Sequence, residues 1–235
     1  MARNNRADGI KKTAKQIKRA TVLRHVASIA LASMLLVTGV TYAVSVFFDN
    51  YSSFSMSVMK YDMVKQGLTL SASPEFDTPT SKLNADAIKN CTNISGDSLP
   101  GNIDSISGQH NGDDYIAYTC YLKNMGEDTV TYQYKIELSN VTKGVDEAVR
   151  FRLFVNGEPA TYAKTKKDGS GPELGTTEFI SLSTVLQKQR RNFAPGDVDR
   201  FTIVIWLEGD DPECVDDIIG GRFNAEMIFE IVEGS

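Results

Sequence analysis

The chain has 235 residues, with 25 Lys or Arg against 30 Asp or Glu and a formal net charge of −5. That total conceals a split: residues 1–48 carry eight bases and one acid, and residues 49–235 carry 17 bases and 29 acids. The acidic part is long enough for one domain with a sizeable core, and its charge argues against nucleic acid as a surface partner.

The first 25 residues are polar and basic. Ile10, Ala14, Ile17 and Thr21 fall near helical spacing with lysines between them. The run reads as a solvated positive tail on the cytoplasmic side, or as a short amphipathic helix. Residues 26–48 follow, 23 in a row without a charge or a proline. As a helix they would be about 35 Å long, enough for a hydrocarbon core of roughly 30 Å with some tilt. The basic flank predicts a single-pass membrane protein, N-terminus inside and residues 49–235 outside. A second reading stands beside it. In Thr41-Tyr42-Ala43 small residues sit three and one before the Ala43–Val44 bond, as signal peptidases require. Cleavage there would release a secreted or matrix protein.

Gly39-Val40-Thr41-Tyr42-Ala43 and the following Phe47-Phe48-Asp49 resemble the signal ending of the Gram-positive TasA and camelysin group. The match covers about a dozen residues. Val40 interrupts the usual Gly-Gly-Thr, the spacing to Asp49 is longer, and the serine of the second element is missing. The resemblance implies an exported β-sandwich of the cell surface or biofilm matrix, with fibre assembly in some members.

Beyond Asp49 the pattern has period two. Phe54, Met56 and Val58 alternate with polar neighbours and predict a strand, and 67–71 predicts another. Residues 73–114 are rich in Ser, Asn, Asp, Gly and Pro. They read as a long loop with a helical turn at 84–90. In 115–123, Ile116, Tyr118, Cys120 and Leu122 share a face. In 130–138 the apolar set is Val130, Tyr132, Tyr134, Ile136 and Leu138; in 149–155 it is Val149, Phe151, Leu153 and Val155. One buried face and one wet face is the mark of an antiparallel sheet. Asn156-Gly157 predicts a two-residue type I′ hairpin, and Pro159 an edge or irregular return strand. Residues 179–187 read as strand or short helix, and Ala194-Pro195-Gly196-Asp197 as a turn. In 201–207 both faces are apolar, which predicts a central or covered strand. Phe223, Ala225, Met227, Phe229 and Ile231 predict a last one. The fold class is therefore mainly β: an antiparallel β-sandwich or jelly roll behind one N-terminal membrane or signal helix. Residues 123–137, a turn with Asn and Gly and then alternating aromatics, resemble the Ig-like domains common on bacterial surfaces, which implies an Ig-like sandwich.

Three cysteines lie in the acidic part, and export would give them oxidising surroundings. Cys91–Cys120 is the preferred pair, with the other two connectivities open. Glu208, Asp210, Asp211, Glu213, Asp216 and Asp217 place six carboxylates within ten residues. Asp210, Asp211, Glu213, Asp216 and Asp217 are candidate calcium ligands, since calcium takes six to eight oxygens. The alternative is a solvated loop, with Asp211 capping a short helix at 212–218 that Gly220-Gly221 ends.

No catalytic constellation stands out, and no other cofactor is implied. There is no His-Glu-x-x-His, no Gly-x-Ser-x-Gly elbow and no phosphate loop, and His110 sits in loop-like sequence. The expectation is a non-enzymatic surface or matrix interaction protein, whose partners are the membrane and then its own copies or envelope proteins. A membrane-anchored module for a glycan, peptide or envelope partner is the alternative. A hydrolase with 73–114 as a lid has least support.

Overall fold

The computed structural model describes residues 52–88 and 91–232. Contacts divide the chain into two units, Met1–Asn50 and Tyr51–Ser235. The basic tail, the apolar segment 26–48 and the Ala43–Val44 bond lie outside the described residues. Among the described residues no helix is long and apolar enough to cross a membrane.

The described residues are mainly β, arranged in two mixed sheets consistent with a β-sandwich. The first sheet runs β10 (Thr184–Phe193), β6 (Val130–Ser139), β12 (Asn224–Ile231), β1 (Ser53–Val58), β3 (Lys82–Ala85). The second runs β2 (Leu68–Ser71), β5 (Tyr115–Asn124), β11 (Val198–Leu207), β7 (Val149–Val155), β8 (Glu158–Ala163), β9 (Thr177–Glu178), with β4 (Gly108–Gln109) also beside β5. One short helix, α1 (Lys60–Gln66), carries the chain from β1 to β2.

Alternation explains the core. The expected inward sets of β5, β6, β7 and β12 are buried, apart from the partly exposed ends Val155 and Ile231. The sheets meet through rings: Phe201 of β11 lies 5.2 Å from Tyr134 of β6 and 5.0 Å from Phe229 of β12 between centroids. Each such side chain contributes roughly 1.5–3 kcal/mol by leaving water. Polar links cross the layers as well: Tyr132 donates to Asp199 at 2.5 Å, Arg190 Nε lies 3.4 Å from the same carboxylate oxygen, and Asn124 Nδ2 donates to the Phe193 carbonyl at 2.9 Å. The Asn156-Gly157 hairpin forms as expected: both residues have positive φ (53° and 94°), and Val155 pairs with Glu158.

Four expectations need correction. The sheets are mixed, since β1 runs parallel to β12 and β8 parallel to β9. Parallel pairing needs a long crossover, and the whole domain lies between β1 and β12. The 73–114 stretch is no open loop. It contains β3, two single-turn 3-10 helices and β4, and Asn84 and Ala85 belong to β3 and not to a helical turn. The helix expected at 212–218 is reduced to one 3-10 turn, Asp216–Ile218. Finally, Cys91 and Cys120 are free thiols. Cys120 points inward with Ile116, Tyr118 and Leu122 and is 0% exposed, whereas Cys91 is exposed. Burial pushes the Cys120 thiol up to about 12.

The outer face of the second sheet explains why 201–207 is apolar on both sides. Val204 and Trp206 look outward, and Leu99 and Ile103 pack on them with Ala117. The covering segment is pinned by polar contacts. Asp104 pairs with Arg200 of β11. Both ring nitrogens of His110 lie 2.9 Å from backbone oxygens, those of Gly108 and Ile103. Asn111 accepts from the Ala117 amide at 2.9 Å.

Candidate functional site

Beside this cover a cleft of about 480 Å³ opens on the same sheet face. Its floor is Arg150 and Arg152 of β7, Thr161 of β8 and Trp206 of β11. Arg150 and Arg152 alternate with the inward Val149, Phe151 and Leu153, so period two aims both guanidiniums outward. Three walls surround the floor. Residues 95–97 come from the covering segment, 173–176 from the loop after β9's partner β8, and 208–211 from the acidic loop after β11.

Much of the lining is already engaged. Arg152 stacks 5.0 Å over the Trp206 ring and donates through Nε to Thr161 at 3.1 Å. Trp206 Nε1 donates to Glu208 at 3.0 Å, and the Gly96 amide donates to the same oxygen at 3.1 Å. A Cβ at Gly96 would lie 3.0 Å from the Trp206 ring, so glycine permits this close approach. Glu208 therefore ties the cover to the sheet.

The second polar cluster is less balanced. Arg150 and Asp211 form an ion pair with side-chain exposures of 5% and 0%. Asp211 Oδ1 also accepts from the Glu213 amide at 2.8 Å, which caps the turn after it. The carboxylates of Glu173, Asp211 and Glu213 converge within 4.8 Å of one another. One oxygen of Glu173, Oε1, is buried without a hydrogen-bond partner. The Glu213 carboxyl is held above its ordinary value by a hydrogen bond to Asp211, then by burial and by repulsion from Asp211 and Glu173. Three carboxylates thus face one guanidinium. An oxygen-seeking divalent cation would relieve that excess and give the orphaned Glu173 oxygen a partner.

The five expected calcium ligands separate here. Asp211 and Glu213 come together; Asp210, Asp216 and Asp217 are exposed and outside the cluster. The third member, Glu173, lies about 40 residues upstream in the Gly- and Pro-containing loop after β8. That loop also holds Asp168, and its composition does not tell which of the two acids faces the cleft.

No protein-family model matches the chain, and no curated protein matches it. Among solved structures it is similar to a β-glucosidase from Kluyveromyces marxianus in complex with glucose, at 13% identity. The likeness covers 72% of this chain and 16% of that one, with a TM-score of 0.23. A likeness that low carries no argument about fold or activity.

Proposed function

We propose that the chain is an exported bacterial cell-surface or matrix interaction protein whose cleft on the second sheet is its binding face, with calcium held by Glu173, Asp211 and Glu213. Residues 26–48 anchor it in the cytoplasmic membrane with 1–25 inside, or are removed by cleavage after Ala43. The two-sheet body is read as an Ig-like sandwich on its turn-and-aromatic stretch 123–137. The observation that carries this reading is the carboxylate trio with the unpartnered Glu173 oxygen. Calcium takes oxygens in number, and three carboxylates converging within 4.8 Å supply the protein's share of them. Weak extracellular sites of this type bind at about 10⁻⁴–10⁻³ M. Mass mapping of the N-terminus in the native host tests the location. An intact 26–48 segment supports the anchored form, a terminus at Val44 the released one, and a soluble cytoplasmic chain contradicts both.

A second reading, a fibre-forming subunit, is favoured by β1. This strand follows the cleavage candidate, lies between β12 and β3, and buries Phe54, Met56 and Val58. Delivery of the same strand to a neighbour's sheet would satisfy the same backbone and side chains. The free edge at β10 is a poorer route, because Lys188 and Arg191 are exposed along it. Light scattering of the chain processed after Ala43, with and without residues 49–60, decides this: polymers formed only with β1 present support it. A monomer across salt and calcium contradicts it.

A further inference from the structure

The guanidinium of Arg152 is fixed in the cleft but not used up. Its Nε donates to Thr161 at 3.1 Å and it lies 5.0 Å over the Trp206 ring. Among the described residues neither of its terminal nitrogens has a hydrogen bond or an ion-pair partner. Glu208 does not serve it, since that carboxylate accepts from Trp206 Nε1 and from the Gly96 and Asp210 amides. A Cβ at Gly96 would lie 3.5 Å from Nη2, so the glycine keeps the approach to that nitrogen open. A guanidinium fork of this kind matches a carboxylate in bidentate geometry. Arg150 and Arg152 are residues i and i+2 of β7, so the fork stands roughly 7 Å along the strand from the pair that Arg150 makes with Asp211. The lining holds five acids against two bases, and an anion is repelled until a divalent cation offsets that excess. Three carboxylates also leave open positions on calcium, which takes six to eight oxygens. Leu174 and Trp206 are the only large apolar side chains of the lining, while Ser95, Thr161 and Thr176 add hydroxyls. The volume of about 480 Å³ falls within the usual range for small-molecule sites, about 300–1,000 Å³. Such a cleft suits a ligand rich in oxygens, with one carboxylate and little apolar surface.

We infer that the cleft binds a hexuronate, the acid sugar of anionic polysaccharides, with its carboxylate on the Arg152 fork and its hydroxyl oxygens completing the calcium shell. The inference rests on calcium being held by Glu173, Asp211 and Glu213, as proposed above. A single pyranose ring with its carboxylate spans the step from the carboxylate trio to the fork. A neutral sugar leaves the fork unfilled, and a simple carboxylate such as acetate lacks the hydroxyls. Calcium and the sugar acid therefore bind together, each tightening the other by the same factor.

Trp206 is the only tryptophan of the chain and lies under Arg152, so its emission reads the cleft directly. The test titrates the full chain in detergent with galacturonate, galactose, acetate or putrescine, in millimolar calcium and in chelator, and follows that emission. The expected result is a saturable change with galacturonate in calcium, with a Kd of about 1 mM for so small a ligand. Galactose and acetate should bind about tenfold more weakly or not at all, and galacturonate should give no change in chelator. Arg152→Gln and Arg152→Lys, followed by ligand-observed NMR, should lose most galacturonate binding, because neither offers the bidentate fork. Both variants keep the three calcium ligands and should still bind calcium by calorimetry, which also shows that they are folded. Calcium binding by the unaltered chain with galacturonate no better than galactose overturns the inference and leaves the calcium reading standing. So does galacturonate binding that ignores chelator or both Arg152 variants, or a response to putrescine alone. Absence of calcium binding overturns both.

Discussion

Arg150 and Asp211 form an ion pair on the outside of the second sheet, yet both side chains are sealed from water. The pair is closed off by the cleft walls and sits next to two further carboxylates. Breaking such a pair leaves a buried charge unpaired, and the loss is about 3–5 kcal/mol. Arg150→Met should therefore lower the urea midpoint strongly, and more than Asp211→Asn. The first leaves three carboxylates uncompensated; the second removes one of the three. Equal, small losses in both variants would show that water reaches the pair.

The raised carboxyl of Glu213 makes a pH prediction. Its folded pKa lies above its ordinary value of 4.5, so the folded state holds the proton more tightly than the unfolded one. The resulting stabilisation is fully present below pH 4.5 and is lost as pH rises through the folded value. Glu213→Gln is permanently neutral. In chelator at pH 7 it should melt roughly 1–2 °C above the unaltered chain, with no difference at pH 4. A stabilisation that grows as pH falls would contradict this.

Tyr132 and Asp199 join the two layers at 2.5 Å, and Asn156 Nδ2 donates to the other carboxylate oxygen at 2.8 Å. Burial first, then the charge of Asp199, pushes the Tyr132 hydroxyl well above its usual range, so it donates throughout ordinary pH. Tyr132→Phe removes one donor and leaves the ring packing. It should lower stability by about 1–3 kcal/mol, read by chemical denaturation.

Gly67 ends α1 with φ 73°, and a Cβ there would lie 2.3 Å from the Gly126 amide nitrogen. Gly126 is equally constrained, since its Cβ would lie 2.2 Å from the Gln66 carbonyl oxygen. The two glycines let the turn after β5 touch the end of the helix. Gly67→Ala should destabilise by about 2–4 kcal/mol, with both the strained φ and the clash contributing. An unchanged thermal midpoint would rule out this close approach.

The sequence was legible where one strand face is buried and the other wet. β5, β6, β7 and β12 all announce themselves by alternation, and the two-faced apolarity of β11 anticipated the cover formed by Leu99 and Ile103. The stretch 179–187, which reads as strand or short helix, covers only Thr184 to Gln187 of β10; the remainder lies on a sheet edge, where polar residues carry no period. α1 was missed because seven residues give too few turns for a helical stripe. The parallel pairing of β1 with β12 joins residues about 170 positions apart, and nothing local encodes it. Cys120 was legible in part: its own strand period set it beside Ile116 and Leu122, and that face is the core. Two of the three members of the acidic cluster, Asp211 and Glu213, followed from charge density. Glu173 did not, because its approach depends on how two loops fold over one sheet face.

Calorimetric titration of calcium into the full chain in detergent, beside the Glu173→Gln variant, tests the proposed cleft most directly. The account predicts one site of about 10⁻⁴–10⁻³ M that strengthens as pH rises and the Glu213 proton leaves, and that is lost in the variant. No binding, or equal binding by both chains, would contradict it.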